Sequence, residues 1–412
     1  MQSAFDHQDQ TFASAFSIVR EAIQDHAFPS ANVAVTQTGK LVALKSFGRF
    51  SYEAGAPLLP DFGGSGDFHV DVTTLFDLAS LTKPIATTTM AMILYERGLL
   101  ELDASLSGTI PEFLTDAQKD PRRRNVTYRM LLAHSSGLPA YEKLFLKAHT
   151  REALLEAAFT TPLRADPATR AEYSDIGFII LGVALERIAE ESLDCFCQRE
   201  IFGPLGMSNT TFNPPKELRD RIPPTADERE EETEECGADL PRAIVEGTSA
   251  RDLSAATSHP GASRNRRSTF RHRIIQGEVQ DENASILGSV AGHAGLFSTA
   301  EDVTRFAESM LQGGSPILRP ETVTLFTRRE AAPPGTSRTL GWDTPSQPSQ
   351  SGKYLGPRSY GHLGYTGTSL WIDPDRQLSI TLLTNRTWPD CSNPAIKQVR
   401  PKFHDAILEA LE

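Results

Sequence analysis

Ser80-Leu81-Thr82-Lys83 sets a hydroxyl and an amine three residues apart at the mouth of an apolar stretch, Ser-Leu-Thr-Lys-Pro-Ile-Ala-Thr-Thr-Thr-Met-Ala-Met-Ile-Leu. On a helix, residues i and i+3 share a face, so the Lys83 amine can reach the Ser80 oxygen. A serine hydroxyl is a weak nucleophile until a neighbouring base takes its proton. Lysine serves as that base when burial or a nearby cation pulls its pKa toward neutrality. A helix N-terminus also favours negative charge developing on the serine oxygen. Pro84 suits a first helical turn, where a missing N–H costs nothing. By residue frequency alone, S-x-x-K should occur about once or twice in such a chain. Here it occurs only at Ser80, and no G-x-S-x-G elbow, H-E-x-x-H or Walker A loop competes with it.

Two further segments carry reactive side chains. Tyr173-Ser174-Asp175 directly precedes the apolar run from Ile176. As structure, Ser174 or Asp175 caps a helix and Tyr173 packs beside it. As chemistry, a tyrosine hydroxyl near a cation can relay protons. The second segment is Gly361-His362-Leu363-Gly364-Tyr365-Thr366-Gly367-Thr368. Glycines this dense in a strand let another backbone or a ligand approach closely. The run Gly288-Ser-Val-Ala-Gly-His-Ala-Gly-Leu-Phe reads as a tight packing or site-lining loop.

These residues need elements to hold them. Apolar spacing predicts helices over Phe12–Ile23, Ser80–Arg97, Val126–His134, Arg151–Phe159, Ile176–Ala189 and Glu301–Leu311, the last capped by a Ser298/Glu301 box. Gly98 is placed to close the second of these. A hairpin is predicted from Ala31–Gln37 and Leu41–Phe47 around Thr38-Gly39-Lys40, and residues 54–68 read as loop. Strands at Ser369–Ile372 and Leu378–Leu383 and a helix over Pro394–Leu411 complete the C-terminal end. Strands at both ends with helices between predict an α+β fold: an antiparallel sheet built from both termini with flanking helices, plus an inserted, mostly helical lobe. The expected division is 1–75 and 298–412 for the sheet domain and 76–297 for the lobe, with the active site between them. The lobe includes a polar excursion at about 214–281, where an acidic run (Asp227–Glu235) and an arginine run (Arg264–Arg273) read as a solvated, mobile segment with mutually attracting ends.

The 412 residues are 39% hydrophobic and 23% charged, with a formal net charge of −12, which excludes whole-chain disorder and argues against nucleic acid or anionic membranes as partners. The longest apolar run falls short of the roughly 20 residues that span a bilayer, and the N-terminus has no secretory pattern, so the expected compartment is the cytoplasm, or the periplasm if the N-terminus is trimmed. Four scattered cysteines read as structural or inert thiols. No histidine or cysteine spacing calls for a metal, and no cofactor is expected.

In order and context these motifs resemble the serine β-lactamase and penicillin-binding-protein superfamily, in its class C-like branch of esterases, D-Ala-D-Ala carboxypeptidases and cell-wall-related amidases. The likeness extends to Leu131-Leu-Ala-His-Ser-Ser-Gly-Leu-Pro, Pro204-Leu-Gly-Met-Ser, Leu383-Thr-Asn-Arg and Gly277-Glu-Val-Gln-Asp-Glu-Asn-Ala. The resemblance implies a serine hydrolase that forms an acyl-enzyme on Ser80 from a small-molecule or peptide ester or amide. Lys83 and Tyr173 would handle the proton. His362 would stand where many relatives carry the lysine of a K-T-G strand, touching the substrate carboxylate or the leaving group. The backbone N–H groups of Ser80 and Tyr365 would form the oxyanion hole, with Asp175, Leu363 and Gly364 also against the substrate. Two departures stand out. Asp175 replaces a common Asn and, if it lies against Lys83, would favour the charged amine. Leu363 replaces a common Thr or Ser and removes a hydroxyl suited to a β-lactam carboxylate. A penicillin-binding ligand sensor and an acyltransferase are the alternatives.

Overall fold

The computed structural model describes residues 2–52, 68–116, 118–229, 270–346 and 349–412. In chain order its strands are β1 (Gln2–Ser3), β2 (Ser30–Gln37), β3 (Lys40–Gly48), β4 (Phe76–Asp77), β5 (Thr211–Phe212), β6 (Ala226–Asp227), β7 (Ile274–Ile275), β8 (Leu296–Ser298), β9 (Tyr360–Leu363), β10 (Ser369–Asp373) and β11 (Leu378–Thr384). The main sheet runs β1-β3-β2-β11-β10-β9, so both ends of the chain meet at its centre, where Val33 faces Leu382 and Val35 faces Ile380. Its pairings are antiparallel except at the β1–β3 edge, which is parallel. Thr38 and Gly39 both take left-handed φ values (48° and 77°), the twist a two-residue hairpin needs.

The sheet sorts its residues by the two-residue period of a strand. Val33, Val35, Trp371, Ile380 and Leu382 face the helices Ala13–Gln24 and Ile396–Leu411, meeting Phe16, Val19, Phe403 and Ile407. Ala34, Leu370, Ile372 and Leu383 face the opposite core, where the helix Ala300–Leu311 supplies Val303, Phe306 and Ala307. That second core continues into the helical lobe around Asp175–Ala189, whose Ile176, Phe178, Ile179, Ile180 and Leu181 are buried. The α+β architecture is therefore a helix–sheet–helix sandwich with the lobe grown on one face. No described helix is long and apolar enough to cross a membrane.

Several local expectations shift. Ser298 ends β8 opposite Phe76, its hydroxyl 2.7 Å from that of Thr210, so Thr299 caps the following helix instead by accepting from Asp302 N (3.2 Å). Part of the polar excursion is ordered: β6 and β7 form a ribbon that ties together its described ends. There the Arg271 guanidinium forks onto Glu228, both side chains only 4% exposed, and a solvated reading does not fit these two charges. The remainder of the excursion (230–269), and nearly all of the predicted 54–68 loop, lies outside the described residues. Cys195 and Cys197 are free thiols, whereas Cys391 is disulfide-bonded, so the expectation of structural or inert thiols does not hold for Cys391.

Candidate active site

Ser80 sits on a break between strand and helix. β4 ends at Asp77, and Ala79, two residues on, adopts φ +46°, a left-handed conformation that costs a residue with a Cβ on the order of 1 kcal/mol. Asp77 holds it there, one carboxylate oxygen accepting from Ala79 N (2.8 Å) and the other from Gln280 N (2.7 Å). The predicted single helix Ser80–Arg97 is instead a 3₁₀ turn (Ala79–Leu81), a widened π turn (Lys83–Thr88) and then an α-helix (Thr89–Glu96). Such widened turns recur at functional sites.

The Lys83 side chain is fully buried, and its Nζ lies 2.9 Å from Ser80 Oγ, 2.6 Å from Asp175 Oδ1 and 3.0 Å from the His293 carbonyl. Burial lowers its pKa below that of an ordinary amine, although Asp175 pulls the other way. The expected contact with Asp175 is thus present, and the dry surroundings outweigh it. A neutral amine here can donate to Asp175 and to the His293 carbonyl and keep its lone pair for the Ser80 hydroxyl. Tyr173 donates its hydroxyl to Ser80 Oγ at 2.6 Å, and burial, then Asp175, push that phenol well above its usual pKa. Arg338, 5.6 Å from the Tyr173 ring, opposes this without overcoming it. Both expectations for Ser174 and Asp175 hold together in space: Ser174 Oγ caps the helix by accepting from Gly177 N (3.0 Å), while Asp175 faces Lys83. His134 fixes this turn from behind, its Nδ1 accepting from Ser174 N (3.0 Å).

The end of β9 packs behind Tyr173, the His362 and Tyr173 ring centroids 5.8 Å apart, and no residue of this strand is in the lining of the cleft around Ser80. His362 is buried, and its Nδ1 lies 2.8 Å from the Leu363 carbonyl, so Nδ1 carries the hydrogen. Nε2 has no partner among the described residues, and burial, then Lys83 and Arg338, hold the ring neutral. A neutral ring with a bare Nε2 accepts a hydrogen bond, which suits a leaving group and not a carboxylate. Leu363 departs from its expected place against substrate: its side chain packs on the core that contains Trp371 and Phe403, and it is absent from the cleft lining. Gly364 has no room for a side chain, since a Cβ would lie 1.9 Å from Thr368 Oγ1 and 2.7 Å from the Leu78 carbonyl. That close approach lets Thr366 and Thr368 donate to the carbonyls of Asp77 (2.7 Å) and Leu78 (3.0 Å), which stitches the turn to the segment before Ser80. The Tyr365 carbonyl is held by Arg386 Nε at 2.9 Å, and its hydroxyl lies 3.2 Å from Cys391 Sγ.

The sequence reading assigned no role to several residues of this frame. Asp281 pairs with His293 Nε2 (2.8 Å), whose backbone carbonyl in turn meets Lys83. Burial opposes ionisation of Asp281, but His293 beside it holds the carboxyl below its usual range. Arg400, buried on the C-terminal helix, donates to the carbonyls of Gly364 (2.6 Å), Thr368 (2.9 Å) and Gly367 (3.2 Å). It fixes the turn that carries Tyr365 and is a positioning residue. Arg400→Lys retains the charge but not the fork, so kcat should fall about 10- to 100-fold, the scale of a 1 Å misplacement. KM should stay within about twofold and the pH profile should not move. Steady-state kinetics on a chromogenic ester checks this, and a loss of thermal stability with unchanged kcat would leave Arg400 a purely structural residue.

A cleft of about 1040 Å³ of atom-free space, part of it open to solvent, has Ser80, Asp175 and Tyr365 in its lining together with Tyr141, Phe145, Glu282 and Thr387. The nucleophile candidate is therefore reachable. Among the described residues, no group of His, Cys, Asp and Glu is arranged to hold a metal ion.

Against this geometry stand the similarities to known proteins. The family model described as Beta-lactamase matches residues 15–399. A protein of Escherichia coli strain K12, provisionally named a D-alanyl-D-alanine carboxypeptidase, is 29% identical over 392 residues, covering 90% of this chain and 81% of that protein. Among solved structures, EstCE1, described as a hydrolase with promiscuous acyltransferase activity, superposes with a TM-score of 0.69 at 20% identity, covering 97% of this chain and 99% of that one. A β-lactamase/D-alanine carboxypeptidase from Pseudomonas syringae gives 0.65 at 17% identity, covering 98% and 99%. At such identities the structural likenesses speak for the fold alone.

Proposed function

Because the chain belongs to the Beta-lactamase family, we propose that it is a serine hydrolase that cleaves an ester or amide through an acyl-enzyme on Ser80. The observation that carries the reading is the convergence of Lys83 Nζ (2.9 Å) and Tyr173 Oη (2.6 Å) on one serine oxygen at the edge of an open cleft. Lys83 takes the hydroxyl proton as Ser80 Oγ bonds to the substrate carbonyl carbon. The backbone N–H groups of Ser80 and Tyr365 receive the carbonyl oxygen as it gains charge, donors worth about 2.7–4 kcal/mol each in comparable sites. The proton passes through Tyr173 to the departing oxygen or nitrogen, with His362 Nε2 accepting from that group, and the scissile bond breaks. Water then attacks the acyl carbon, gives its proton back along the same path, and frees Ser80.

Small esters and peptidoglycan-derived amides lead as substrates. The neutral His362 and the withdrawn Leu363 side chain offer no cation or hydroxyl for a β-lactam carboxylate, which ranks β-lactams third. Intact-mass analysis after treatment with a fluorophosphonate tests the reading. One adduct per chain is expected, absent from Ser80→Ala; no adduct on the unaltered protein, or equal labelling of both, contradicts it. Turnover of nitrophenyl butyrate, a muramyl peptide and nitrocefin then orders the substrates. Steady turnover, as opposed to one stoichiometric burst, separates a hydrolase from a penicillin-binding sensor, and diversion of product by added alcohols would expose an acyltransferase.

A further inference from the structure

Resting on that hydrolytic reading, we infer that the substrate carries a protonated amine and that Glu282 receives it, with Asp281 and Tyr141 around the same part of the cleft. The charge of the lining motivates this. Among the described residues, Asp77, Asp175, Glu228, Asp281, Glu282 and Asp390 line the cleft, against the single cationic side chain of Lys143. A pocket built for an anionic substrate would have the opposite balance.

Most of these carboxylates are already committed to the protein. Asp77 receives two backbone N–H groups, Asp175 receives Lys83, and Glu228 receives the Arg271 fork. Asp390 accepts from Ser392 N at 2.9 Å. Asp281 spends one oxygen on His293 Nε2 and on Ala284 N (2.7 Å). Glu282, one residue further on and the first residue of the short helix Glu282–Ile286, has no cation or donor side chain bonded to its carboxylate among the described residues. Burial and then Asp281 push its pKa up to about 7 against the weaker pull of the Arg271 charge, the behaviour of a carboxylate short of counter-charge in a dry setting. An ammonium group beside it would supply that charge.

Independent of the acids, two buried polar atoms of residues on the same lining lack partners. The Thr387 hydroxyl belongs to a side chain only 2% exposed and forms no hydrogen bond among the described residues. His293 Nδ1, on a residue 1% exposed, is also unpaired. Buried polar atoms are rarely left so in a native structure unless a water or a ligand completes them. An amine-bearing substrate brings donors, which the Thr387 hydroxyl oxygen can accept. Tyr141 and Phe145 add aromatic surface, and a ring face attracts an ammonium group where water is excluded.

Matched nitrophenyl esters give the test: 6-aminohexanoate, neutral heptanoate and anionic adipate monoester, plus acetate esters whose phenol carries or lacks an aminomethyl group. In at least one of the two series the amine should raise kcat/KM about 10- to 100-fold over its neutral match, the worth of a charged hydrogen bond, and adipate should be the poorest substrate. Glu282→Gln should bring that ratio close to 1 while leaving heptanoate turnover within about twofold. Equal turnover of amine and neutral esters in both series, or a preference that survives Glu282→Gln, overturns the inference. Failure to turn over any ester, with no fluorophosphonate adduct on Ser80, would instead count against the hydrolytic reading.

Discussion

Lys83→Met is expected to lower kcat by about 10²- to 10⁴-fold, the range for a lost general base, and to destabilise the fold by about 3–5 kcal/mol. The two losses have different origins. Turnover falls because Lys83 and Tyr173 are the side chains bonded to Ser80 Oγ among the described residues, and Tyr173 is a phenol held well above its usual pKa. Stability falls because Asp175, whose side chain is 6% exposed, loses the Lys83 amine 2.6 Å away and is left as a buried carboxylate without its donor. Denaturant melts and ester kinetics on Lys83→Met, Asp175→Asn and the double variant separate these effects. The double variant should recover most of the stability and none of the activity. The Asp175→Asn single variant should remain active and shift the acid limb of kcat/KM downward. Asp175 favours the charged amine, so removing its carboxylate lowers the Lys83 pKa further, and the base is free of its proton at lower pH. An unmoved or raised limb would mean that the limb belongs to another group.

Tyr173→Phe should lower kcat at least about 10²-fold with little effect on folding, because the ring and its packing against His134 and Lys83 remain. The position of the acid limb should not change. A phenol with its pKa pushed up is a donor in the resting enzyme and not a phenolate base, so the limb reports Lys83 while the hydroxyl only passes the proton on. The deficit should be larger for alkyl esters and amides, whose leaving groups need a proton, than for nitrophenyl esters, which depart as stable anions. Uniform loss across these leaving groups would remove the relay role. Full activity would remove Tyr173 from the reaction.

The Ser80–Lys83 contact is legible in the chain because short-range spacing and helix context carry the signal, whereas the tie of Tyr173 to that pair, 93 residues away, comes only with the family resemblance. The three-residue step from Ser80 to Lys83 survives even though a π turn replaces the expected α turn, since the two side chains still meet. Long-range partners were less legible. His293 acts through its backbone carbonyl and Arg400 through three backbone acceptors, and a sequence displays side chains only. Glu228 and Arg271 were hidden for another reason: in a charge run the average reads as solvated, whereas the ribbon β6–β7 selects one pair and buries it. At Ser298 and Thr299, adjacent hydroxyls compete for one cap, and pairing of β8 with β4, which keeps Ser298 extended, decided the matter.

The pairing of β2 with β11 has a consequence for biosynthesis. Seven successive rungs join residues 31–37 to residues 378–384, so a ribosome must emit everything between them before the earlier hairpin finds its neighbour. Until then that hairpin presents a naked row of peptide groups and a greasy face of Val33 and Val35 to the surrounding milieu. Contacts this distant along the chain slow folding, and the waiting edge is the part of the nascent molecule most in need of a chaperone.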